Sequence, residues 1–555
     1  MMYPYENFEN FTLPKLLERS VELYGDRPAL AKVSHEAITY KEFSDKVYSM
    51  IELLQNNGIS KGDKVALLSE NMPNWAVAYF AVAYFGAVIV PILPDFHHAD
   101  VHHIIRHSEA KAMFVSEKHL ATIEELSDSE LKFVIKVDDL SIIDELTNHG
   151  YISKITQKMS ISKDLYQPKE DEMAALLYTS GTTGHSKGVM LSHKNLVTNA
   201  MSAYKNVTIL PQDSFLSILP LAHTLECTVG LIVPLLHGSS VYYIDKTPTP
   251  SVLLKALDIV KPTMMLSVPL IIEKIYKNKV LPKFTGSFIM KTLYSIGFFR
   301  KRLNKIAGKK LIETFGGNIR FFGIGGAALS PYVEQFLKEA EFPYIIGYGL
   351  TETSPLIAGT RIGDEIKVKS TGKAMAEVEI KIKDQNPDTG EGEIIVKSPS
   401  VMLGYYKDEK QTAEVMEDGW FLTGDLGYID EDGYLFISGR SKNVIIGSGG
   451  ENIFPEQIEA TINQNEVVLD SLVMMQDQRL IAKVHLDYEL IDRMFKANNA
   501  PEAEVKEKIK KLLEDMRIDL NTKVSSYSRI TKFIEQIDPF VKTPTKKIKR
   551  FLYTE

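Results

Sequence analysis

From Ile38 to His193, short apolar runs alternate with stretches whose apolar residues recur at helical spacing. KVALLS at 64–69 leads into an Ala-rich helical stretch, then AVIVPIL at 87–93, a helix closing at Ser108, and KAMFVS at 111–116. Strands separated by helices in this way predict crossover units on a parallel sheet. The alternation returns after Gly184, where DSFLSILP, SSVYYI, PTMMLSVP, IRFFGIGG and YIIGYG read as short buried strands. After Gly372 the texture changes. VEIKIKD, GEIIVKS and GYLFISG, punctuated by Gly, Asp and Pro, predict a small β-rich subdomain. The last 115 residues form an α+β pattern of their own. There SLVMM and LIAKVHL flank QDQR as a hairpin, and Val505, Ile509, Leu512, Leu513, Met516 and Leu520 make a helical stripe after Pro501.

The stretch from Trp75 to Pro94 carries no charged residue over 20 positions, enough to span a bilayer. Alanine and tyrosine dilute its apolarity, and Gly86 and Pro91 divide it. The better reading is a buried helix capped by Asn74 and ending at Gly86, then a buried strand that Pro91 interrupts.

A chain of 555 residues exceeds the ~250–300 over which one core grows, so at least two compact units are expected. Apolar residues at 44% and charged residues at 25% exclude collagen-like, disordered and disulfide-scaffold classes. Sixty-four Lys and Arg against 72 Asp and Glu give a net charge of −8, which disfavours a nucleic-acid binder. Cys227 is the single cysteine, and Glu6 and Glu9 stand where a secretory leader would be basic, so a cytoplasmic location is expected.

The strongest chemical signal is LLYTSGTTGHSKGVMLSH at 176–193, an apolar strand running into a loop of glycines and hydroxyls with Lys187 near its end. Such a loop can wrap an anion in backbone N–H groups, with a lysine to match its charge. It is not a Walker A loop, because Ser186 precedes the lysine and Gly188 follows it. LPLAHTLE at 219–226, GGAALS at 325–330, YGLTETSP at 348–355, WFLTGDLG at 420–427, GRSKNVI at 439–445 and KTPTKKIKR at 542–550 follow in order. Together these seven segments closely resemble the signatures of the adenylate-forming (AMP-binding) enzymes, the superfamily of acyl-CoA synthetases, peptide-synthetase adenylation domains and luciferases. The last of them is most similar to the long-chain fatty acid–CoA ligase version.

The resemblance implies an α/β fold. A large N-terminal domain of layered sheets and helices with a small β-rich subdomain would occupy 1–440, a hinge 441–443, and a small mobile α+β domain 444–555. It implies nucleotide contacts from Thr179, Ser180, Gly181, Thr182, Thr183, Gly184 and Lys187 of the phosphate loop. Gly326 and Ala327 would approach the adenine edge, Tyr348 would stack on its face, and Gly349 and Thr351 belong to the same motif. Asp425 and Arg440 would clamp the ribose. Thr182 and Glu352 would hold Mg2+, a hard cation that takes few protein oxygens. His223 would gate the acyl pocket, Lys442 would be the hinge residue, and Gly449 and Gly450 would line the coenzyme A channel. Lys547 would bridge carboxylate and α-phosphate as charge builds. Two departures stand out: Ser186 replaces the usual proline, and Lys546 replaces the usual glycine before the catalytic lysine. Spacing to Ile548 and Arg550 favours Lys547 over its neighbour.

The implied activity is ATP-dependent activation of a long-chain fatty acid to an acyl-adenylate, followed by transfer to coenzyme A, giving acyl-CoA, AMP and pyrophosphate. Two rivals differ in class: loading of an acyl carrier protein, and a non-catalytic member that binds acyl-adenylate or lipid. Two further clusters lie outside the signatures. FHHADVHHIIRH packs five histidines into 97–107, read as the polar face of a helix rather than a zinc or nickel site. Between Lys274 and Lys310 stand 11 Lys and Arg and no acidic residue, interleaved with Phe284, Phe288, Ile289, Met290, Leu293, Ile296, Phe298 and Phe299. That segment reads either as a reversible dock on anionic membrane, with Arg300, Lys301 and Arg302 among the contacts, or as aromatics lining an acyl tunnel beneath a solvated lysine face.

Overall fold

The computed structural model describes residues 8–124, 126, 129–143, 165–179, 186–246, 249–447, 451–495, 501–543 and 546–553. Among these, two large sheets build the body. The first runs in the order Gly404–Tyr405, Lys187–Ser192, Met173–Thr179, Val88–Ile92, Lys64–Leu68, Ala110–Val115, Phe133–Lys136. Its strands from Met173–Thr179 to Phe133–Lys136 are mutually parallel, as alternating strands and helices require. The second places Phe321–Ile324, Met264–Ser267, Ser214–Ser217, Ser240–Tyr243 and Pro28–Lys32 side by side, again parallel. Tyr344–Gly349 continues it.

Helix Pro73–Tyr84 touches Lys64–Leu68 and Val88–Ile92 of the first sheet and Pro28–Lys32 of the second. Every residue from Trp75 to Tyr84 is buried. A helix covered on all sides must be apolar on all sides, which explains the uncharged stretch without a membrane. No helix among the described residues is long and apolar enough to cross one.

Two local expectations are corrected here. The helix is capped at Met72 with no side-chain bond, and Asn74 instead donates to the Val137 and Asp138 carbonyls at 2.8 and 3.1 Å. Pro91 does not interrupt the strand: Val88–Ile92 is continuous, with Pro91 opposite Leu67. On its other side the strand pairs with Met173–Thr179 only at Ile89, so little ladder bonding is lost to the missing N–H.

A third sheet joins Glu379–Lys383, Gly392–Lys397, Trp420–Ile429, Met416–Glu417 and Leu435–Arg440. The carboxyl-terminal unit has its own core, drawn wholly from residues beyond 443 and built on strands Val468–Gln476, Arg479–Leu486 and Lys532–Glu535. Its hairpin turns at Asp477 and Gln478, both in the left-handed region. Helix Glu502–Asn521 buries Ile509, Leu513, Met516 and Leu520 against it.

Candidate active site

The two strands that flank the phosphate-loop segment are neighbours in the first sheet. Strands Met173–Thr179 and Lys187–Ser192 pair antiparallel, and their last partners are Thr179 and Lys187. Register alone therefore sets Lys187 at the end of that pairing. The expected contacts Ser180, Gly181, Thr182, Thr183 and Gly184 lie outside the described residues, as do Gly449 and Gly450. Lys187 is half-buried, with its ammonium 5.4 Å from the Tyr405 ring centroid. Burial, then the charge of Lys442, draws its pKa down, while Glu352, Asp408 and Glu414 act in the opposite sense. A second ammonium near Lys187 makes this place suited to a polyanion.

Helix His193–Ser202 follows the second of those strands directly. Ser192 caps it, with Asn195 returning the bond. From its buried face Asn199 donates to the Thr353 and Leu356 carbonyls at 3.1 and 3.0 Å, and Thr228 donates to Ser354 at 2.9 Å. These bonds fasten the YGLTETSP loop, whose Thr351–Thr353 forms one 3-10 turn. Gly349 is obligatory there, since a Cβ would lie 1.7 Å from the Pro355 carbonyl oxygen. The fastened turn presents Glu352. Tyr405 donates to its Oε1 at 2.8 Å, and no Lys or Arg pairs with it among the described residues. Tyr405 carries no recognisable motif, and only the sheet edge at Gly404–Tyr405 brings it here.

Asp425 and Arg440 are cross-strand partners, joined Oδ1 to Nε at 2.9 Å. Tyr348 donates to the other carboxylate oxygen at 2.7 Å, and Thr423 accepts from the Asp425 N–H at 3.1 Å. Tyr348 is only 8% exposed and packs with Ile357, Ile394 and Leu435. In this arrangement it orients Asp425, a role the motif by itself did not suggest. Gly326, at φ 82°, and Ala327 lie exposed beside the cleft.

Lys546 and Lys547 part company in space. Lys546 takes φ 63°, the left-handed region that a glycine would occupy without strain, and its ammonium pairs with Asp95 at 2.9 Å on the outside. Lys547, itself exposed, lies within electrostatic range of the Asp425–Arg440 pair and Glu352: desolvation by nearby protein, then Arg440, draws its pKa down, while Asp425 and Glu352 oppose this. Its charge also reaches His223, whose pKa burial and then Lys547 lower to about 4. His223 is thus neutral at pH 7. Its Nδ1 accepts from the Leu225 N–H at 3.2 Å, which leaves the proton on Nε2. The fold therefore brings together Lys187, His223, Glu352, Asp425, Arg440, Lys442 and Lys547 from both sides of residue 443.

Glu226, quoted within a motif but given no role, is 1% exposed. Ser217 donates to its Oε1 at 2.5 Å and itself accepts from Asn71 at 2.9 Å. Gly230 makes room for it, because a Cβ there would sit 2.8 Å from the carboxyl group. Burial pushes its pKa up to about 8. Folded protein thus holds this proton while unfolded chain releases it near the ordinary glutamate value. Stability attributable to Glu226 is present at low pH and falls as pH rises from about 4.5 to about 8, by up to about 1.4 kcal/mol per unit. Glu226→Gln should flatten that window, so its melting temperature gains on the parent as pH rises. Melting curves that stay parallel across the window would refute the neutral carboxyl.

The histidine cluster holds no metal geometry among the described residues. His102 bonds the Thr122 carbonyl at 2.6 Å and His107 the Tyr178 hydroxyl at 2.7 Å, so each is engaged separately. Cys227 is buried against Tyr79, and burial pushes its thiol up to about 12.

Residues 17–406 match the family described as AMP-binding enzyme. The chain is 30% identical over 515 residues to long-chain-fatty-acid–CoA ligase heimdall of Drosophila melanogaster, covering 84% of this chain and 75% of that one. It is 29% identical over 497 residues to long chain acyl-CoA synthetase 7, peroxisomal, of Arabidopsis thaliana, covering 82% and 69%. Among solved structures, ATP-bound MatB from Rhodopseudomonas palustris superposes with a TM-score of 0.75 at 24% identity over 98% of both chains. The o-succinylbenzoate coenzyme A synthetase MenE from Bacillus subtilis, in complex with ATP and magnesium ion, gives 0.74 at 23% over 97% and 98%. At these identities the structural likeness speaks for the fold.

Proposed function

This chain belongs to the AMP-binding enzyme family, and from that membership we propose that it activates a long-chain fatty acid with ATP and transfers the acyl group to coenzyme A. The observation that carries the reading is the gathering of Lys547, Asp425, Arg440, Glu352 and His223 within electrostatic range of one another from distant parts of the chain. The names of the relatives support the choice of acid. In the first step a carboxylate oxygen attacks the α-phosphorus, the bond to the β-phosphate breaks, and pyrophosphate leaves. Lys187 and Lys547 offset charge on the phosphate oxygens, and Arg440 and Asp425 hold the ribose. Two of the roughly four acceptor sites of Asp425 are already taken by Tyr348 and Arg440, which leaves room for ribose hydroxyls. In the second step the coenzyme A sulfur attacks the acyl carbon and AMP departs. Neutral His223 stands as an adaptable polar group where acid and thiol would succeed one another. Lys442, in the exposed 3-10 turn Ser441–Asn443, is the proposed hinge.

Glu352 fits a magnesium ion: it is a carboxylate held in place by Tyr405, without a cationic partner among the described residues, and its charge is felt at Lys187. Bound there with substrate phosphates, the ion would supply charge neutralisation. Glu352→Ala should raise the magnesium concentration needed for half-maximal pyrophosphate release by about ten-fold, the loss expected when one charged ligand goes. An unchanged requirement would remove Glu352 from that role.

The overall reading is tested by pyrophosphate release with palmitate, followed by thioester formation with free coenzyme A. Release without transfer to coenzyme A, but with transfer to an acyl carrier protein, would replace the acceptor. No release with any fatty acid would overturn the activity.

A further inference from the structure

The two helices Phe288–Ser295 and Gly297–Thr314 project a surface that the catalytic reading does not use. Its underside is built in. Phe284 stacks on Tyr294 with centroids 4.7 Å apart, Tyr294 donates to Asn304 at 2.9 Å, and Asn304 donates to Glu339 at 2.8 Å. Arg300 holds the same Glu339 through two nitrogens, and Gly308 lies so close to Ala340 that a Cβ would meet its carbonyl oxygen at 2.1 Å. Arg300 is thus structural, which corrects its expected place among outward contacts.

The outer face is different. Phe288 is 85% exposed, Ile289 70% and Phe298 60%, and helix Phe288–Ser295 buries no residue at all. Phe298, Arg302, Ile306 and Lys310 follow at four-residue spacing along one face, opposite the buried Asn304, Gly308 and Leu311. Arg302 lies 4.5 Å over the Phe298 ring. Phe284 is buried, but Phe288, Phe298 and Phe299 are exposed and do not line an interior tunnel. Lys291, Lys301, Arg302, Lys309 and Lys310 have no acidic partner among the described residues.

Charge decides what fits this face. The segment 274–310 holds 11 of the 64 basic residues and no acid, so the remaining chain carries 53 against 72, a net −19. Paired with itself in a two-fold dimer this face would set like charge against like, and the rest of the molecule is repelled by an anionic surface, so an anionic bilayer would be met by this face first. We propose that this face docks the protein reversibly on an anionic lipid bilayer. Phe288, Ile289 and Phe298 enter the interface between headgroups and acyl chains, while the unpaired lysines and Arg302 meet anionic headgroups. The inference does not depend on which acid is activated.

Co-sedimentation of the full chain with vesicles of phosphatidylcholine, with and without phosphatidylglycerol, tests this. Binding should require phosphatidylglycerol and weaken as salt rises. Each basic residue near such a surface is worth about five-fold, so Lys301→Gln, Arg302→Gln and Lys309→Gln together should lower binding at least ~ten-fold. Phe288→Ser with Phe298→Ser should lower it on the same vesicles, with an unaltered melting temperature for both variants, since none of these side chains is buried. Equal binding to pure phosphatidylcholine, no binding to either vesicle, or binding indifferent to both variants would overturn the proposal. So would a dimer that the phenylalanine variant converts to monomer, because the face would then be a contact between copies.

Discussion

Lys547→Ala should reduce pyrophosphate release with palmitate by about 100- to 1000-fold, the usual loss for one preorganised charge aimed at a transition state. Thioester formation from supplied palmitoyl-adenylate should change less than about three-fold on the same reasoning. The split follows from position. In this structure the carboxyl-terminal unit places Lys547 within electrostatic range of Asp425, Arg440 and Glu352. A second cation beside Arg440 adds to the field that a phosphate group meets there. Lys546→Gly provides the control. It releases a non-glycine residue from φ 63° and removes only the exposed contact to Asp95, so adenylation should persist. Equal loss of both half-reactions in Lys547→Ala would mean that the lysine serves the whole cycle or the fold itself.

Lys442→Pro should have the opposite pattern, with adenylation retained and thioester formation lost by roughly 100-fold. Residue 442 sits in a 3-10 turn, whose φ lies near the −65° that proline enforces, and proline is tolerated in a first helical turn. The orientation seen here, with Lys547 near Asp425 and Glu352, is therefore compatible with proline. An orientation that needs another φ at 442 is penalised by about 3 kcal/mol, which is roughly 100-fold in rate. Because Lys442 also places charge near Lys187, Lys442→Ala is needed beside it. The alanine variant should lose part of the first step through charge and keep the second. A proline variant competent in both steps would move the hinge elsewhere.

The chemistry was legible in the one-dimensional pattern wherever backbone geometry demanded particular residues. A glycine at 349 pressed against Pro355 and a stripe of apolar residues from Val505 to Leu520 are local requirements, so they leave local traces. The same holds for the strand–helix alternation that became the parallel sheets. What the pattern could not carry is proximity between distant segments. Tyr348 holds Asp425 across 77 positions, Tyr405 holds Glu352 across 53, and Lys546 reaches Asp95 across 451. Each bond arises from sheet order and domain placement, which no spacing along the chain encodes. Burial is likewise collective. The uncharged run at Trp75–Tyr84 is a core helix because two sheets enclose it, Glu226 keeps its proton because its neighbours exclude water, and Phe288 stands in solvent because Arg300 and Asn304 turn its helix pair outward. Residue type settled which groups can meet phosphate, carboxylate or lipid, and tertiary packing decided which of them face it, because solvent exclusion and long-range contact exist only in the folded chain.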